Sequence, residues 1–140
     1  MERGEFEKTY LAIVEQALKW NEFSRRNGLL DMEDMLDETK VDERDIFHLG
    51  MRFVVDGTDE AFIDKVLSNI IAQEMDGDKK LLKIVQKEAV LGIQSGMPTH
   101  LIALLLGSYV DNKLANAVEK ILNNAVENIL NNAAREESDE

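Results

Sequence analysis

The chain has 140 residues and carries 28 Asp and Glu against 16 Lys and Arg, a formal net charge of −12. That sign is wrong for phosphate backbones and for anionic bilayers, so neither nucleic acid nor a membrane surface is an expected partner. No cysteine is present, which removes disulfides, thiol catalysis and cysteine-based metal sites, and fits a reducing, cytoplasmic location.

The length suits one domain, and at about this size roughly 70% of the unfolded surface is buried on folding. Hydrophobic residues make up 44% and charged residues 31%, a globular rather than a disordered balance. We expect residues 1–134 to form a single helical domain and residues 135–140 an acidic, frayed tail. The N-terminus is charged and leads into an amphipathic stretch, unlike a signal core. The longest uncharged run, 89–110, holds a dense apolar part only at 101–106. A membrane span needs about 20 apolar residues, so no membrane insertion is expected.

In chain order, a first helix is expected over 6–27, because Phe6, Tyr10, Ile13, Val14 and Ala17 recur at three- and four-residue spacing. Gly28 suits its left-handed cap. A short acidic helix follows over 30–39, with Met32, Met35 and Leu36 inward. A third segment, 42–55, carries Ile46, Phe47, Met51, Phe53 and Val54 and stops at Asp56-Gly57. Within it, 52–56 is the one short run that reads as a strand. Thr58 is the expected N-cap of the fourth helix, whose apolar face is Phe62, Val66, Leu67, Ile70 and Ile71. Asp76-Gly77-Asp78 breaks the chain before a fifth helix ending near residue 93, with Leu81, Leu82, Ile84, Val85 and Val90 inward. Pro98 suits the first position of a sixth helix, where its missing N–H costs nothing.

The last helix is expected over 112–134 and contains a tandem repeat, AVEKILNN at 117–124 and AVENILNN at 125–132. Its apolar pairs recur every four residues, so the stripe drifts by about 40° per step. A wide, turning stripe of this kind suits packing on a partner subunit or on the chain's own domain. Val118, Ile121, Leu122 and Ile129 are its candidate oligomerisation residues.

Catalytic signatures are missing. His48 and His100 stand alone, each without a second histidine or an HExxH spacing, and read as core or boundary residues. Asp76-Gly77-Asp78 fails the calcium-loop pattern because Lys80 and Leu81 follow. No phosphate loop and no GxSxG elbow occurs. We therefore expect no enzyme, no cofactor and no metal. Lys79, Lys83 and Lys87 share one helical face and form the densest basic patch. It reads either as a solvated face or as a dock for an acidic surface such as the 33–38 run of a neighbouring subunit.

Two stretches resemble a known family. Residues 24–33, SRRNGLLDME, are similar to the ARREGLLALE stretch that follows the second membrane helix of MotA, the flagellar stator subunit. Residues 50–60, GMRFVVDGTDE, are similar to the family's GLRLVVDGTDPE, in the same order and at similar spacing. The following helix fits the family's ILETEI helix, so the clear likeness covers 17–74. A fainter one continues at Gly96-Met97-Pro98-Thr99, which resembles the GYAPT that opens the third membrane helix. Here the stretch after Pro98 is too short to span, and no segment matches the other membrane helices, so ion-channel activity is not expected of this chain.

The resemblance implies a non-enzymatic, cytoplasmic relative of the stator's cytoplasmic region, acting by protein contacts on the rotor switch protein or the stator. In that family, charged residues of this region face the rotor, and an arginine follows the LE of the first motif in some members. Asp34 stands in its place. The matching segment offers Glu33, Asp34, Asp37, Glu38, Glu43 and Arg44 as interface charges. The alternative is a general oligomeric helical adaptor unrelated to motility. In both cases the expected fold is an all-α bundle of six or seven helices ending in a long one.

Overall fold

The computed structural model describes residues 1–38 and 42–138; the side chains of Val126, Ile129 and Leu130, and those from Asn132 onward, lie outside the description. Seven helices follow one another: α1 (Arg3–Asn27), α2 (Leu29–Glu38), α3 (Ile46–Val55), α4 (Glu60–Ile71), α5 (Gly77–Gln94), α6 (Thr99–Gly107) and α7 (Asn112–Ser138). No strand occurs among the described residues. The run 52–56, which carries a strand-like pattern, is the last turn of α3 and its cap.

Aspartates start four of these helices. The carboxylates of Asp45, Asp59, Asp76 and Asp111 accept the N–H groups of His48, Ala61, Lys79 and Leu114 at 2.9 to 3.1 Å. Each satisfies an orphan donor and sits at the positive end of a helix dipole. Part of the acidity of the chain is thus used in helix starts.

Asp59, not Thr58, caps α4. Thr58 belongs to the preceding turn instead. Its N–H donates to Phe53 O at 2.9 Å while that of Gly57 donates to Val54 O at 3.1 Å. That pair of bonds is a Schellman ending, with Gly57 at φ 73°. Pro98 likewise sits one position earlier than expected, as the cap residue of α6.

α5 is the central helix and packs on α1, α3, α4 and α6. Its inner face is Leu82, Val85, Ala89, Val90, Gly92 and Ile93. Two glycines allow the close packing. A Cβ on Gly50 of α3 would lie 2.7 Å from Val90 Cγ2, and one on Gly92 would lie 3.2 Å from Ile102 Cγ1. Trp20 of α1 meets Phe47 of α3 edge to face at 5.2 Å. On α4 the buried residues are Ile63, Leu67 and Ile71; Leu67 and Ile71 belong to the expected face, Val66 and Ile70 are half-buried beside them, and Ile63 takes the place expected of Phe62. Phe62 is 53% exposed and stacks edge-on against Phe53 across the α3–α4 turn at 5.8 Å.

α6 runs antiparallel to α1. The Tyr10 hydroxyl donates to Leu106 O at 2.8 Å, and Asn21 Nδ2 reaches Thr99 Oγ1 at 2.8 Å. α7 turns back along α6, with Ala115 beside Gly107, and therefore runs in the direction of α1. It continues to Ser138, past the expected end; Asp139 and Glu140 of the expected tail lie outside the described residues.

Candidate functional site

Three segments far apart in sequence meet at one end of the bundle. α1 ends at Gly28, whose φ of 83° and ψ of 175° place it where only glycine is at ease. Its N–H still closes the helix on Ser24 O at 3.0 Å, and α2 begins at the next residue. α3 ends at Gly57, as described. α5 ends at Gly96 in the same way, with Gly96 N–H on Ile93 O and Met97 N–H on Gly92 O. The Arg25 guanidinium donates to Gly96 O at 3.0 Å and joins the first turn to the third. Between the turns lies a cleft of about 330 Å³, lined by Ser24, Arg25, Leu29, Val54, Thr58 and Gln94 among others.

These are the turns of the segments 24–33, 50–60 and 96–99. Behind the cleft, a buried polar group links α1 to the start of α6. Asn21 Nδ2 also reaches Met97 O at 3.2 Å, and the Thr99 hydroxyl donates to Glu22 Oε1. Asn21 Oδ1 is buried without a partner.

On the last turn of α1 and along α2, which lead into and away from the cleft, Arg25, Arg26, Asp31, Glu33, Asp34 and Glu38 are exposed, and none forms an ion pair among the described residues. Asp37 pairs with Arg52 of α3 at 2.5 Å. Leu29 and Leu30 are exposed at the corner itself, Leu30 to 80%. Glu43 and Arg44 stand elsewhere. They precede α3, at its end away from Gly57, and Arg44 lines a separate cleft with Glu74 and Lys83. The six expected interface charges are therefore not one patch.

The lysine stripe is largely used inside the chain. Lys83 Nζ pairs with Glu74 at 3.0 Å. Lys87 Nζ donates to Asp64 Oδ1 at 2.8 Å and Ser68 Oγ at 3.2 Å, and its side chain is only 16% exposed. These bonds tie α5 to α4 and its end. They hold the Asp64 and Glu74 carboxyls below their ordinary range, through the lysine hydrogen bonds first. Lys79 is exposed and makes no ion pair among the described residues. Of the three lysines of the stripe, Lys83 and Lys87 thus face carboxylates that spacing along α5 does not reveal, Asp64 on the preceding helix and Glu74 just after it.

On α7, Val118 is buried in the chain's own core, and Ile121 and Leu122 are half-buried against it. Val118 is thus engaged within the protomer. The side chain of Ile129 lies outside the described residues. An apolar groove of about 300 Å³ separates α6 from α7, lined by His100, Leu104, Ala115 and Leu122 among others. His100 is exposed, whereas His48 is half-buried with Nδ1 lacking a partner.

Among the described residues, no group of three or more His, Asp or Glu is placed to hold a metal ion. No described helix is long and apolar enough to cross a membrane. Sequence reasoning missed Arg25, Arg26 and Asn21. Asn21 had a signal: it stands four residues after Ala17, a polar side chain on the buried stripe of α1. No family model, curated protein or solved structure matches the chain.

Proposed function

We propose that this protein works by binding other proteins, and that the rim around the three glycine turns is its contact surface. The observation that carries this reading is the convergence of 24–33, 50–60 and 96–99 on one cleft beside unpaired charges. Those are the segments that resemble the stator subunit MotA, and the likeness makes the flagellar motor the proposed setting, in the cytoplasm. Glu33 and Asp34 are the proposed contacts with the rotor switch protein. They are exposed and form no ion pair among the described residues, so pairing with a cationic surface breaks none of the described salt bridges.

A calorimetric titration with the purified torque-bearing domain of the rotor switch protein tests this. Saturable binding that weakens with salt and is lost on Glu33→Lys with Asp34→Lys supports the motor reading. No heat at low or moderate salt, with both proteins folded, removes it.

A second reading, an oligomeric adaptor unrelated to motility, has its own support. α6 exposes Leu101 and Leu104, the latter to 70%, beside the α6–α7 groove. Apolar faces of that kind mark association surfaces.

A further inference from the structure

The corner between α1 and α2 has an unusual order of side chains. Arg25 and Arg26 precede Gly28, Leu29 and Leu30 stand at the vertex, and Glu33 and Asp34 follow. The charges are opposite in sign and equally spaced about the Leu29–Leu30 pair. Arg25 mirrors Asp34, Arg26 mirrors Glu33, and Leu29 mirrors Leu30. All six side chains are exposed, and neither arginine has a carboxylate partner among the described residues. Of the other arginines, Arg44 also has no carboxylate partner among the described residues and donates to Gln73 Oε1 at 3.5 Å. Arg3 and Arg52, by contrast, both hold carboxylates.

A surface with this pattern is complementary to itself. In two antiparallel copies of this segment, the order of residues sets each copy's arginines against the other's acids and each Leu29 against the other's Leu30. That is the requirement of an isologous contact, in which one patch meets its own image. We propose that the α1–α2 corner binds the same corner of a second copy of this chain, antiparallel, with the leucines at the centre and the four charges as the rim. The leucines remove apolar area from water, and the rim charges set direction and register. Glycine is needed at position 28 because its backbone brings the leucines straight after the arginines, with no linker between the helices. The dimer uses Glu33 and Asp34, the acids proposed above as rotor contacts, so the two contacts are alternatives on one surface; the mass of the chain alone tests the dimer without the rotor protein.

Sedimentation or light scattering of the intact chain over a range of concentration tests the proposal. Wild-type mass should rise from one copy to two, and the transition should move to higher concentration as salt is added. Leu30→Asp should weaken the dimer by more than about tenfold. Arg26→Glu and Glu33→Arg should each weaken it by several-fold. Mixing Arg26→Glu with Glu33→Arg should restore association as a heterodimer, because each supplies the charge the other lacks. These side chains are exposed, so helicity serves as the control. A wild-type mass of one copy throughout overturns the proposal. So does a dimer that Leu30→Asp leaves unchanged, or a mixture that fails to recover.

Discussion

The two ends of the bundle treat charge differently. At the end where α1 starts, Arg3 pairs with Glu7 and with Asp111, and Asp111 also caps α7. Those contacts hold the Asp111 carboxyl below its ordinary range, the Leu114 N–H bond first among the causes. At the glycine end, Arg25, Arg26, Glu33 and Asp34 have no such partners among the described residues. α1 separates the ends by about 36 Å. One end closes the fold on itself. The other leaves cations, leucines and acids in order on a surface, which suits contact with another molecule.

The largest expected effect concerns the glycine end. Gly28→Ala places a Cβ in open space but forces a residue into a backbone region essentially reserved for glycine. The expected cost is about 2 kcal/mol. Gly57→Ala and Gly96→Ala, at φ 73° and 76°, should cost about 1 kcal/mol each. Urea unfolding at constant slope measures all of these. A cost for Gly28→Ala no greater than for the other two would mean that the corner relaxes, and would weaken the argument for a fixed leucine vertex.

A second test reads the closed region through pH. Burial pushes the Tyr10 hydroxyl up to about 12 from 10.0. Because the folded value is the higher one, the neutral phenol contributes fully to stability below pH 10, and that contribution fades as pH rises toward 12. The melting temperature should therefore fall across this window, and less so in Tyr10→Phe. At neutral pH the same variant loses the bond to Leu106 O, at about 1 kcal/mol. A phenolate signal near pH 10 that disappears in Tyr10→Phe, and so belongs to Tyr10 and not to Tyr109, would show that Tyr10 is not held in the core.

Smaller effects should come from the charges, and their contrast matters more than their size. Lys87→Met breaks the bond to Asp64 and should destabilise by about 0.5 to 1 kcal/mol. Arg3→Ala should lower the melting temperature slightly, because two carboxylates lose their partner. Arg26→Gln should cost the monomer only about 0.3 kcal/mol, through the end of the α1 dipole. Equal losses at Arg3 and Arg26 would erase the difference between the ends.

Much of the fold is legible in the residues. Gly28, Asp56-Gly57 and Asp76-Gly77-Asp78 mark real helix boundaries because glycine and aspartate make end geometry local. Thr58 misleads because both Thr58 and Asp59 can cap a helix, and only the bond to Phe53 O decides between them. Phe62 misleads for another reason. Its size suggests burial, yet Ile63 takes the inner position and Phe62 packs outward on Phe53. The site is less legible than the fold. Spacing along one helix cannot show that Lys87 meets Asp64 on another, nor that turns at residues 28, 57 and 96 share a cleft. Such facts come from how helices pack.

The central claim is that recognition belongs to the glycine end. Its most direct test is one calorimetric series with the torque-bearing rotor domain, comparing charge reversals at the two ends. The account predicts saturable binding for wild type and for Asp78→Lys, whose carboxylate lies 3.9 Å from the N-terminal ammonium at the paired end, and none for Glu33→Lys with Asp34→Lys. Equal loss in both variants, or binding in neither wild type nor variants, contradicts it.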